Sequence, residues 1–246
     1  MLSRLPASVV LTSVLGFAIA LLLFAVPAAA VSVDILAIDT ASPRVNLGGV
    51  DTNDDNRLRV YYNALNGIEI DGFIKFDLSS IPDTSVITSM NLTLFQEGPR
   101  SGSPEVQVRR SSFDGWVRGG SGFPTTYDEV LTPIQSGFTG GQHVPYTFSL
   151  DVGAVNWTLD LLDDRLSLVL DQNTAETAVV YFYGSDPVSP TGDSNSTGTV
   201  YDYVPRLSIE YSVIPEPSTA SLLAIGLVGL AARRRSRAGE SLREPI

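Results

Sequence analysis

Between Val31 and Val213 apolar and polar side chains alternate with a period of two, and turn residues break the alternation at short intervals. An extended chain throws successive side chains to opposite faces, so this pattern predicts half-buried strands. Gly67 to Leu78 is the clearest case: Ile68, Ile70, Ile74, Phe76 and Leu78 share one face, and Glu69, Asp71, Lys75 and Asp77 share the other. It reads as one strand with a core face and a solvated face, Glu69 and Asp71 being water-exposed carboxylates. Gly72 falls on the apolar face and marks a bulge or a close backbone contact. Further strands are predicted at Val33 to Ile38, Leu58 to Tyr62, Val86 to Gln96, Glu105 to Arg110, Tyr146 to Leu150, Leu166 to Leu170, Ala178 to Tyr183 and Arg206 to Ser212. In Ala178 to Tyr183 the face carrying Val179, Tyr181 and Tyr183 is read as core. Nine or ten strands around one core predict an all-β, antiparallel β-sandwich, jelly-roll-like in arrangement.

Val152, Val155, Leu159 and Leu162 recur at helical spacing with Asp160 and Asp163 opposite, which predicts one short helix closing an end of the sandwich. Gly-, Ser- and Pro-rich stretches at Gly98 to Pro104, Gly119 to Thr126, Gln135 to Val144 and Ser185 to Thr199 are loops. The alternation stops at both ends. Residues 1–30 carry Arg4, a long apolar run and Ala28-Ala29-Ala30, a secretory signal peptide with an N-terminal signal helix and cleavage after about Ala30. At the other end Ile214-Pro215-Glu216-Pro217 precedes an apolar run, Ser218 to Ala232, and the cluster Arg233-Arg234-Arg235-Ser236-Arg237. As a helix that run rises roughly 22 Å at about 1.5 Å per residue, short of a bilayer core of about 30 Å. Pro215 and Pro217 set it apart from the preceding domain, and the arginines hold its far end in the cytoplasm. The organisation is therefore a leader (1–30), a sandwich (31–213), a segment 214–237 with a short transmembrane helix over 218–232, and a cytoplasmic tail (238–246).

Charge follows the same division. Of sixteen Lys and Arg, five lie at Arg233 or beyond and one is Arg4, leaving ten against twenty-five Asp and Glu between Val31 and Glu216. A domain this acidic is a poor match for a nucleic-acid backbone. The chain has no cysteine, which excludes thiolate metal sites and leaves an exported fold resting on its apolar core.

Pro215-Glu216-Pro217, the short Leu/Gly/Ala-rich run and the arginine cluster resemble the PEP-CTERM sorting signal, a pattern also known as the ice-binding-protein C-terminal domain. The resemblance implies export through the Sec translocon and signal peptidase, transient insertion in the inner membrane, and removal of the tail by an exosortase in bacteria that make exopolysaccharide. Pro215, Glu216, Pro217, Arg233, Arg234 and Arg235 would carry the signal; the nine residues after Arg237 extend beyond the usual pattern. The middle resembles β-sandwich modules of the DNRLRE or disaggregatase-related type, grouped with carbohydrate-binding modules. Its landmarks here are Asn46-Leu47-Gly48, Phe76-Asp77-Leu78-Ser79-Ser80-Ile81-Pro82, Met90-Leu92-Leu94, Trp116 with Thr125-Thr126-Tyr127, Asp151-Val152 with Trp157, and Pro205-Arg206-Leu207.

Candidate chemistry is sparse. Asp51, Asn53 and Asp55 have the 1,3,5 spacing of a calcium loop. Asn56 and Tyr62 then stand where an EF-hand needs Gly and Glu, and the competing reading is an exposed Asx-rich turn. Trp116 and Tyr127 are the candidate ligand-binding aromatics; each could instead anchor a loop. The chain's single histidine, His143, lies in a Gly-Gly-Gln-His loop and reads as solvated. No nucleophile elbow, His-Glu-x-x-His or phosphate loop occurs. The expectation is an exported, non-enzymatic envelope or extracellular-matrix protein that binds polysaccharide; the alternative is a glycan-active secreted enzyme, hydrolase or lyase.

Overall fold

The computed structural model describes residues 30–44, 50–51, 57–124, 126–185 and 203–213. Its strands are β1 (Ala30–Ala41), β2 (Pro43–Arg44), β3 (Val50–Asp51), β4 (Arg57–Asn63), β5 (Ile68–Ile70), β6 (Gly72–Asp77), β7 (Ser85–Gln96), β8 (Val106–Ser111), β9 (Val144–Ser149), β10 (Arg165–Gln172), β11 (Ala178–Tyr183) and β12 (Arg206–Val213). One helix, α1 (Thr158–Leu162), precedes β10. The alternation located the longer strands; the two-residue β2 and β3 are too short to show a period.

All pairings are antiparallel, and the strands run β3-β2-β5-β4-β11-β7-β12-β1-β6-β10-β8, with β9 also on β7. Strand β1 serves both layers of the sandwich. Its first half pairs with β12, from Ala30↔Ser212 to Leu36↔Arg206, and its second with β6, from Ala37↔Phe76 to Ala41↔Phe73. A register shift between Ala37 and Asp39 marks where the strand turns from one layer to the other. Ala30 and Ser212 are therefore direct neighbours across a strand pair. The inner faces meet in one core that includes Leu58, Val60, Ile74, Phe76, Leu92, Leu94, Leu168, Leu170, Val180, Phe182, Leu207 and Ile209, all fully buried. Each such side chain contributes roughly 1.5–3 kcal/mol of transfer free energy.

The segment read as one strand, Gly67 to Leu78, is two. β5 pairs with β4 in one layer, β6 pairs with β1 and β10 in the other, and Asp71 is the single residue between them. Gly72 makes the close contact expected of it: a Cβ there would lie 2.9 Å from Leu58 Cδ1 and 3.3 Å from Leu170 Cδ1.

Three expectations about faces are corrected. The polar face of β6 is solvated only at its end, Asp77. Trp116, Phe123 and Tyr127 fold over it and pack on Phe73, Val169 and Ala41 as a second apolar cluster, so Asp71 and Lys75 are buried. Helix α1 covers only Thr158–Leu162 and turns the opposite way from the predicted phase: Asp160 and Leu161 are buried, whereas Leu159 and Leu162 are exposed. The chain from Val152 to Trp157 is turns, so its apolar spacing does not carry through, and Arg110 holds Asp160 inward. In β11 the core takes Ala178, Val180 and Phe182 and leaves Val179, Tyr181 and Tyr183 half-buried on the outer face. Trp157 is in the core, its indole N–H donating to the Val152 carbonyl at 2.8 Å.

No helix among the described residues is long and apolar enough to cross a membrane. Residues 1–29 of the leader, the helix expected over 218–232 and its arginines lie outside the described residues, while Ala30 opens β1.

Candidate functional site

Two arrangements of polar side chains stand out, one at the corner between the layers and one on the outer face of β4 and β11.

The corner forms because Asp71 falls between β5 and β6, its N–H donating to the Pro43 carbonyl of β2 at 3.4 Å, and turns its carboxylate under the loop that carries Tyr127. Tyr127 Oη donates to Asp71 Oδ2, and the Gln172 backbone N–H reaches Asp71 Oδ1 at 3.4 Å. Glu69 and Asp171 complete the group, with one carboxylate oxygen from each of the three within 4.8 Å of the others. Arg109 Nη1 donates to Asp171 Oδ2 at 3.1 Å and Nη2 to the Asp128 carbonyl at 3.3 Å. Burial pushes the carboxyls of Asp71, Glu69 and Asp171 above the usual range, Asp71 furthest, and the neighbouring acids add to the shift at Glu69 and Asp71. Burial and the Asp71 charge likewise push the Tyr127 hydroxyl up, so it remains a proton donor. Three oxygens so placed could face a cation. The donors supplied by Tyr127, Gln172 and Arg109 oppose that upward shift and tie the group into a clamp between the two layers and the covering loop.

Beside it, Lys75 places its ammonium 4.2 Å from the centre of the Trp116 ring and donates to the Trp116 carbonyl. The Trp116 indole N–H donates to Ser167 Oγ at 3.0 Å, and Phe73 and Phe123 pack on the same ring at 5.8 and 5.6 Å between centroids. Trp116 is 3 % exposed. It is the loop anchor, with no open face for a sugar. Tyr127, half-buried, is committed to Asp71.

A shallow cavity of about 310 Å³ lies by α1, lined by Arg110, Asp114, Asp160, Asp163 and the exposed Leu159 and Leu162. Its floor is the forked ion pair of Arg110 with Asp160, at 3.0 to 3.1 Å. Burial lifts the Asp160 carboxyl to about 6 even against this contact.

The outer face of β4 and β11 is built differently. Because Leu58 and Val60 point into the core, Arg57, Arg59 and Tyr61 point out, and the register sets Arg59 opposite Tyr181, Arg57 opposite Tyr183 and Tyr61 opposite Val179. Through Ile70 the Tyr61 row continues to Arg44. The Arg59 guanidinium lies 4.4 Å from the Tyr61 ring centre and 5.7 Å from that of Tyr181. Arg57 lies 6.0 Å from the Tyr181 ring and bonds Glu97 at 2.9 Å. The Nε atoms of Arg44 and Arg59 are buried and have no acceptor among the described residues. Beyond this ladder His143, at φ 63°, stacks on Tyr203 at 4.1 Å and lies 5.5 Å from Tyr183, so its ring is packed rather than solvated.

The arginine–tyrosine face was missed by sequence reasoning. The signal was there in Arg57-Leu58-Arg59-Val60-Tyr61, whose apolar pair fixes the core side. Of the proposed calcium ligands, Asp51 ends β3, while Asn53 and Asp55 lie outside the described residues, as do Pro215, Glu216, Pro217 and Arg233 to Arg235.

No curated protein matches the chain. A match does exist to one short motif, covering the end of β12 and the residues after it. Residues 213–235 match the PEP-CTERM protein-sorting motif, so this antiparallel β-sandwich carries the signal of an exported protein sorted by exosortase.

Proposed function

We propose that the protein is a non-catalytic component of the cell envelope or extracellular matrix that binds polysaccharide. The observation that carries this reading is the pairing of an exosortase-type sorting motif at residues 213–235 with a β-sandwich whose outer face displays half-buried aromatic rings. Tyrosine faces pack on the apolar faces of sugar rings, and a sheet holds them at low entropic cost. The sorting motif is a temporary tether: once it is removed, the acidic sandwich is soluble and free to associate with polysaccharide. Exosortase, signal peptidase and the Sec translocon are its processing partners, and exopolysaccharide its lasting one.

The mass of the exported protein tests the processing. A product beginning near Val31 and ending near Pro215 is expected, and one retaining Arg233 to Arg237 would contradict removal of the tail. Retention on host exopolysaccharide tests the binding. Turnover of a glycan that vanished on changing acidic residues would overturn the non-catalytic assignment.

A further inference from the structure

We propose that the outer face of β4 and β11 binds an acidic polysaccharide, with Arg59 and Arg44 contacting the sugar carboxylates and Tyr61 and Tyr181 flanking them. This rests on the polysaccharide-binding reading and narrows it to a ligand class and a place.

The argument begins with charge. Only ten basic residues stand against twenty-five acidic ones between Val31 and Glu216, yet Arg44, Arg57 and Arg59 fall on one sheet face. Arg57 is tied to Glu97, and Arg109 and Arg110 are tied to Asp171 and Asp160. Arg59 and Arg44, by contrast, meet no carboxylate among the described residues, and their Nε donors are unsatisfied. Those Nε atoms are buried out of a ligand's reach, so an arriving anion meets the terminal Nη groups of the two arginines.

The second step is geometry. A guanidinium flat against aromatic rings is held in orientation through its π face, which uses none of its N–H groups. The Arg59 guanidinium carbon lies over the Tyr61 ring, 4.4 Å from its centre, and 5.7 Å from the centre of Tyr181. With its Nε buried, the terminal Nη pair is left to form the two parallel bonds by which arginine reads a carboxylate. Arg44 lies on the same face, in the row that runs through Ile70 to Tyr61. A chain bearing carboxylates on successive sugars suits such a spaced pair, and its rings suit the tyrosines.

Nucleic acid fits less well. Duplex DNA carries one charge per about 1.7 Å and is repelled strongly by an acidic domain. A polyuronate carries one charge per sugar, so two local contacts can outweigh a weaker repulsion.

The test is affinity electrophoresis of the full chain in mild detergent through gels containing polygalacturonate, dextran or duplex DNA. Retardation by polygalacturonate, weakening with added salt, is expected. Arg44→Gln with Arg59→Gln should weaken it on the order of tenfold or more, and Arg59→Lys, which keeps the charge without the fork, by less. Circular dichroism verifies folding, and Arg59→Lys serves alone if the double variant does not fold. Polygalacturonate binding that persists in the substituted chains would place it on the terminal arginines and overturn the proposal, as would a preference for DNA. Binding to dextran alone, untouched by the substitutions, would leave the polysaccharide reading standing and remove this one. Retardation by none of the three, nor by host exopolysaccharide, would remove both.

Discussion

Asp71 is a carboxylic acid with no exposed surface, and its chemistry is set by that burial. Its folded value is raised by burial, and those of Glu69 and Asp171 are raised with it. An unfolded aspartate releases its proton near pH 3.9, whereas the folded clamp holds on longer. The stabilising contribution of such groups is therefore complete below about pH 4 and is lost as pH rises through the folded values. Melting followed by circular dichroism should show the transition temperature falling as pH rises above about 4, and Asp71→Asn should flatten that slope. A wild-type slope of the opposite sign, or one that Asp71→Asn leaves unaltered, would show that the clamp does not hold its protons. Arg110 and Asp160 make a complementary case. Arg110→Met strands a carboxylate that is 1 % exposed, which should cost about 3–5 kcal/mol at neutral pH in urea unfolding. The loss should shrink near pH 5, because Asp160, already lifted to about 6, then takes up a proton.

At the level of elements, the segment running from Ser112 to Tyr127 decides what the outer face of β6 and β10 is. Trp116→Ala should destabilise the fold by about 3–5 kcal/mol, since it deletes the ring that plugs the second apolar cluster. Lys75 supplies a local readout, being the chain's single lysine and 5 % exposed. Amine-reactive labelling of Lys75 in the native state should be slow in the parent and fast in Trp116→Ala; equal rates would mean that Trp116 does not seal the face. The same segment explains where the sequence stopped being legible. Alternation locates β6, β7 and β12, because a residue such as Ile74 or Leu92 has to face the core whatever else happens. It says nothing of what covers the far side of a sheet, so Asp71 and Lys75 look solvated until a loop distant in sequence folds over them. β11 defeats the rule differently: Val179, Tyr181 and Tyr183 are as apolar as Ala178, Val180 and Phe182, and periodicity cannot choose between two apolar faces. The helix over Val152 to Leu162 fails because one turn is too short for spacing to outweigh a single buried ion pair.

On the scale of the whole molecule, the acidic majority of the sandwich and the basic cluster that closes the sorting motif are separate in sequence. The motif was the most legible feature of the chain, since its tripeptide, apolar run and arginines are contiguous; the arginine–tyrosine face is spread over residues from Arg44 to Tyr183 and becomes a site only through strand register. The register Ala30↔Ser212 has a mechanical meaning as well. Two antiparallel neighbours that begin and end side by side form a zipper, whose hydrogen bonds, pulled from that end in opposing directions, break one after another rather than together. Traction along a common direction puts no load across the pair. A domain held through both ends by one surface is thus under no tension, while a force separating those ends meets the fold at its least resistant seam.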